Sequence, residues 1–247
     1  DRMEEADPPR PVLVEWLDIA LSRRTLVNPL SILSRLNRMA GDGSPILASR
    51  IATLVPRAWD LDEEGAATLE QTLLSRESQV RCALAGALDE IIHRRGAESL
   101  TLVDTLLSDS STDVIRIATS SLRLTSNLDA EGFATRCARL VHLGDVGTSR
   151  QFAQTTLREY LVMHPGDHKG LTVQLWNDGD EVVRSRLREL LLHMLPDYKE
   201  ELSSILIRIT EMGEKNTLED FWRILEVRSE ETAQAWRNHI EQGTEIP

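Results

Sequence analysis

Lysine is almost missing from this sequence: Lys169, Lys199 and Lys215 are all there are. Arginine carries nearly all the positive charge, and Asp+Glu at 40 outnumber Lys+Arg at 28, leaving a net charge of −12. That balance argues against general nucleic-acid binding, which needs a basic footprint, and against anionic membrane surfaces. Aromatic residues make up only 4%. A core must then be built from Leu, Ile, Val and Ala, a composition that suits close helix–helix contact. Cysteine occurs twice, as Cys82 and Cys137, each among apolar neighbours at helical spacing. Two buried thiols in a reducing compartment explain them better than a disulfide or a metal pair.

Long apolar runs are also lacking, so no segment is expected to span a membrane. No charged-then-apolar leader with a cleavage site opens the chain, and a cytoplasmic location is expected. Signature catalytic patterns are missing too: Gly-x-Ser-x-Gly, His-Glu-x-x-His and a phosphate-cradling Gly-rich loop with its lysine. Gly41-Asp42-Gly43-Ser44-Pro45 has the glycines without the lysine and reads as a turn. His164-Pro165-Gly166-Asp167-His168 is the one local His/Asp cluster. Its Pro-Gly pair breaks any helix that would bring both imidazoles to one metal. The expectation is therefore no catalytic residue, no metal and no cofactor.

What the sequence does contain is helical periodicity. Residues 1–11 are charged and proline-rich and read as a linker or tail. From 12 to 242, apolar residues recur at three- and four-residue spacing, separated by short polar turns. Leu30, Leu33, Leu36 and Met39 form one stripe; Val80, Ala83, Leu84, Ala87, Leu88 and Ile91 form another. Ser44-Pro45, Asp62, Ser78, Thr112 or Asp113, and Asp129 are placed to cap helices. No window alternates like a strand between hairpin turns. The chain is expected to be all-α, one domain of antiparallel neighbouring helices.

A repeat underlies the periodicity. Arg50, Arg81, Arg116, Arg150 and Arg184 stand near the start of successive helices, roughly 34 residues apart. A small residue follows the first four, as Ala52, Ala83, Ala118 and Ala153. An acidic residue precedes most of them: Glu77, Asp113, Asp145 and Asp180. Self-similarity at this period marks stacked helical pairs. A tetratricopeptide array shares the period, but its Trp, Leu-Gly and Tyr positions are not found.

Asp113-Val114-Ile115-Arg116-Ile117-Ala118 resembles the start of the second helix of a HEAT repeat, a relative of the armadillo repeat. Gln79-Val80-Arg81-Cys82-Ala83 and Asp180-Glu181-Val182-Val183-Arg184 resemble it in part. The likeness covers about 45–195. It implies a right-handed α-α superhelix of five to six hairpins with flanking helices, second helices lining a concave face. It also implies a ladder in which Arg50, Arg81, Arg116, Arg150 and Arg184 each pair with an aspartate; Asp109, Asp113, Asp178 and Asp180 are placed for this.

Two uses of such arginines remain, a phosphate-binding row or an internal ladder. The net charge of the second helices equals the number of ladder arginines, so internal pairing would leave that face without surplus. Arginine's planar fork suits carboxylates, which favours the ladder. The expected function is a non-enzymatic protein–protein interaction or scaffold module, one region of a larger protein or complex. Its partner would be another protein or peptide on the concave face, and self-association is open. Solvent-side positions Arg57, Glu90, Arg94, Arg123, Arg158 and Arg188 are the candidate contacts. Trp222 and Trp236 would shield the end of the array or anchor an interface. The alternative, drawn from the same family, is a nucleic-acid-binding protein or a DNA alkylation-repair-type glycosylase.

Overall fold

The computed structural model describes residues 29–143, 146–157, 159–160, 171, 175–176 and 181–194. Among them every regular element is a helix and none is a strand, so the all-α class is observed. The tail 1–11, Arg158, the 164–168 cluster, Asp178, Asp180, Trp16, Trp222, Trp236 and all readings beyond 194 lie outside the described residues. The chain forms two compact units, Asp1–Leu128 and Asp129–Pro247, where the sequence reading treats 12–242 as one domain.

In the first unit, α1 (Pro29–Asp42) and α2 (Pro45–Ala52) make the first hairpin. Ser44 caps α2 by accepting a bond from the Leu47 N–H at 3.3 Å, with Pro45 just behind it. α3 (Val55–Ala58) continues α2 after an interruption. α4 (Glu63–Leu74) starts at Asp62, whose carboxylate accepts from the Gly65 N–H at 2.7 Å. α5 (Ser78–Gly86) and α6 (Leu88–Arg95) follow. A 3-10 turn (Gly96–Ser99) and α7 (Leu100–Leu106) lead to α8 (Thr112–Thr119) and a second 3-10 turn, Leu122–Thr125.

These helices form rows. α4 packs on α1; α5 packs on α2 and α8 on α5; α6 packs on α3 and on the Leu122–Thr125 turn. The buried faces follow most of each apolar stripe: Leu47, Ile51 and Val55; Val80, Leu84 and Leu88; Val114, Ala118 and Leu122 are all interior, whereas Leu30 is 56% exposed and Ala83 is not buried.

Each second helix is expected to run unbroken, over 45–57, 78–95 and 112–125, yet each is interrupted at one position. The N–H groups of Leu54, Ala87 and Ser121 reach back three residues, to the carbonyls of Ile51, Leu84 and Ala118, at 2.9, 3.0 and 3.1 Å. The local causes differ. Pro56 has no N–H to give the Ala52 carbonyl and crowds it. Gly86 lowers helix propensity in the second. In the third, the Thr119 and Ser120 hydroxyls donate to the carbonyls of Ile115 and Ile117, which bends helices.

The second unit holds α9 (Ala130–Leu143), α10 (Val146–Gln151), a π-helical segment Phe152–Leu157, and α11 (Glu181–Met194). α9 packs on α11. Phe133 stacks on Tyr160 with ring centroids 4.9 Å apart. Asp129 caps α9 through the Gly132 N–H at 2.9 Å and pairs with the buried Arg136 at 3.2 Å. The Gly132 N–H, then Arg136, hold the Asp129 carboxyl below its usual range.

Candidate functional site

The three interruptions set the true register of the repeat in the first unit. Aligned on Leu54, Ala87 and Ser121, inward and outward positions agree along nearly the whole length of the three second helices. Beside Ser49, Cys82 and Arg116, which are also unburied, outward positions fall into four levels across α2–α3, α5–α6 and α8 with its 3-10 turn. They are Ile46, Gln79 and Asp113; Arg50, Ala83 and Ile117; Thr53, Gly86 and Ser120; Arg57, Glu90 and Leu124. None of these twelve is buried.

In this register the ladder arginines are not equivalent to one another. Arg50 aligns with Ala83 and Ile117. Arg81 aligns with Ala48 and Ile115, both interior, and Arg116 with Ser49 and Cys82. Their environments differ accordingly. Arg81 makes the expected fork, Nε to Asp109 Oδ2 at 2.6 Å and Nη2 to Oδ1 at 2.9 Å. Both side chains are mostly covered, at 17% and 8% exposure. Burial opposes the Asp109 charge, but Arg81 and the Ser111 N–H outweigh it and keep the carboxyl below its usual range. Arg116 instead meets Asp113 within its own helix at 3.2 Å, both in solvent. Arg50 is exposed and has no carboxylate partner among the described residues. Arg150 is exposed, and Arg184 donates to the Trp176 carbonyl at 3.1 Å. In the first unit Arg81 makes a covered fork with Asp109 and Arg116 an exposed pair with Asp113, because Arg50, Arg81 and Arg116 sit at different positions of the repeat.

Arginines assigned to partner contact do the binding-together instead. Arg94 pairs with Asp60 on the preceding hairpin and with Glu90 at 2.7 Å. Arg123 reaches Asp89 at 3.2 Å, its equivalent one repeat earlier. Arg188 pairs with Glu181 at 2.5 Å and lies 5.9 Å from the Trp176 ring centroid. Glu90 is exposed and occupied by Arg94; Arg57 is half-buried.

Two tie points had no signature in the sequence. Arg76 follows α4 and closes the C-terminus of α1: Nη1 donates to the Ala40 carbonyl at 2.6 Å and to that of Gly41, and Nη2 to that of Gly43 at 3.0 Å. Arg81 donates in turn to the Arg76 carbonyl. A guanidinium suits such a site because the last carbonyls of a helix are orphaned and carry partial negative charge. Arg95 stacks on Trp59 at 3.5 Å and pairs with the buried Glu70 at 3.2 Å. Burial pushes the Glu70 carboxyl up against the pull of Arg95 and of the nearby Trp59 indole, whose nitrogen closes no hydrogen bond of ordinary geometry. Arg76 and Arg95 each follow another plausible role, a turn and a helix end. Only the fold shows which carbonyls and rings they meet.

Among the described residues, no group of three or more His, Cys, Asp and Glu could hold a metal ion. No described helix is long and apolar enough to cross a membrane. What stands open is the face of the second helices in the first unit, where Arg50 has no carboxylate partner among the described residues and Ile46, at 51% exposure, lies one turn away. No protein-family model, curated protein or solved structure matches this chain.

Proposed function

We propose that this chain is a non-enzymatic interaction module, one region of a larger protein or complex, that recognises another protein through the outer face of its second helices. The reading takes the array to be a HEAT- or armadillo-like right-handed superhelix working in the cytoplasm. One observation carries it: in the first unit, α2, α5 and α8 lie side by side in chain order, turning equivalent residues inward and equivalent residues outward. A row of this kind offers a long rigid surface whose exposed side chains select a partner. The charges around it are largely spent on neighbouring hairpins, which supports rigidity.

The test is affinity capture with the wild type and with Gly86→Trp. A Cβ at Gly86 meets nothing within 4 Å, so the indole would cover the face without disturbing the core. Loss of the same captured proteins from the variant, at a melting temperature no lower than the wild type's, supports the proposal. An unchanged capture list rejects this face.

Arg50 and Arg116 also give the nucleic-acid alternative an anchor. It predicts a duplex-DNA complex at physiological ionic strength that weakens steeply with salt. With Asp113 beside Arg116 and a net charge of −12, the protein-binding reading is the better supported.

A further inference from the structure

Resting on that reading, the geometry points to the class of partner: we infer that the face takes an extended peptide segment with a carboxylate at one end and an apolar side chain about six residues away. The four levels differ in side-chain size and charge. At the second level the face runs from Arg50 through Ala83 to Ile117, and at the third from Thr53 through Gly86 to Ser120. The middle helix contributes only small side chains at these levels, so the floor is low where α5 passes under it. The flanks are chemically unlike. Arg50 is an exposed guanidinium without a carboxylate among the described residues, and Ile117 is a half-exposed branched aliphatic. Leu124, one level further on, is half-exposed as well.

Spacing then selects the ligand. Packed helices lie about 8–10 Å apart, and an extended chain advances about 3.3 Å per residue. A strand crossing the helices at right angles therefore uses about three residues per helix, and about six from Arg50 to Ile117. Its carboxylate would meet the fork of Arg50, where a bidentate bond is available. Its apolar side chain would cover Ile117, and its intervening residues would lie over Ala83 and Gly86. Ile46 lies one turn from Arg50 and gives the acidic end an apolar shoulder.

Other sites were weaker. The Arg95–Trp59–Glu70 cluster and the Arg76 cap are closed by their own partners, and Cys82 is a single half-buried thiol.

The test uses the full chain and fluorescein-labelled twelve-residue peptides on a Gly/Ser background, read by polarisation. One carries Asp-Glu and, six residues on, Leu-Phe; a second replaces Asp-Glu with Lys-Lys; a third has the acidic and apolar pairs three residues apart. The first should bind, the second not, and the third more weakly. Arg50→Glu should weaken binding at least about tenfold, Ile117→Ser less, and Gly86→Trp should abolish it. Equal binding of the first and second peptides overturns the inference, as does no binding of any. If the peptides fail while captured proteins are still lost on Gly86→Trp, the interaction module stands and only the peptide assignment falls. If capture is also indifferent to Gly86→Trp, both fall.

Discussion

Single side chains show how burial decides an arginine's role. Arg81 and Asp109 are a covered, two-bonded pair, whereas Arg116 and Asp113 are both in solvent. Exposed pairs contribute little, and forks held out of water contribute more. Asp109→Asn should therefore lower unfolding stability by about 2 kcal/mol, and Asp113→Asn by no more than about 0.5 kcal/mol, as read by urea denaturation. The pH response separates two carboxyls further. Folding depresses Asp109, so its contribution is complete above the usual aspartate range and is lost as pH falls through the depressed value. Folding raises Glu70, so the sign is opposite. Its linkage favours the fold below the usual glutamate range and is lost as pH rises through the raised value. On acidification, the wild type should lose stability relative to Asp109→Asn and gain it relative to Glu70→Gln. Melting curves across that range check both slopes.

At the level of elements, the interruptions give the clearest lever. Gly86 is exposed, has ordinary backbone angles, and leaves open space where a Cβ would stand. Gly86→Ala should raise stability by about 0.5–1 kcal/mol. Gly132→Ala should do the reverse. Its Cβ would fall 1.9 Å from Asp129 Oδ2, displacing the carboxylate that caps α9. Thermal unfolding of the two variants should move in opposite directions. Much of this layout was legible beforehand. The apolar stripes located most of the buried faces, and Ser44, Asp62 and Asp129 are caps as their types suggest, whereas Ser78 and Thr112 open their helices one residue after Glu77 and Ser111, whose side chains make no cap bond. The breaks were not legible, because a proline, a glycine and a Thr-Ser pair share no letter and act through different bonds. Aligning on arginines instead of on breaks then put Arg50, Arg81 and Arg116 at one level when they occupy three. Composition could not correct this, since an arginine looks alike whether it grips a carboxylate or stands in water.

Across the whole molecule, each unit carries one thiol. Cys82 is half-buried in the first, and Cys137 is fully buried in the second. Burial raises both thiols, and lifts Cys137 well above the ordinary range, so neither is a ready nucleophile. Under native conditions a maleimide should modify Cys82 slowly and Cys137 slower still. Mass spectrometry of labelled peptides in rising urea would then follow the opening of the two units separately. If Cys137 reacts only at the urea concentration where Cys82 labelling also jumps, the units unfold together; earlier reaction of one marks it as the less stable.

The hairpins of the first unit are not interchangeable tiles. Asp89 finds its cation at the same position of the following hairpin, and Arg76 spends its guanidinium on the carbonyls of the preceding one. Each hairpin therefore carries an address for its neighbour on either side. Excising or duplicating one would strand a buried donor or an acid beside the wrong face, so the order of hairpins is written into their polar edges as firmly as into the chain itself.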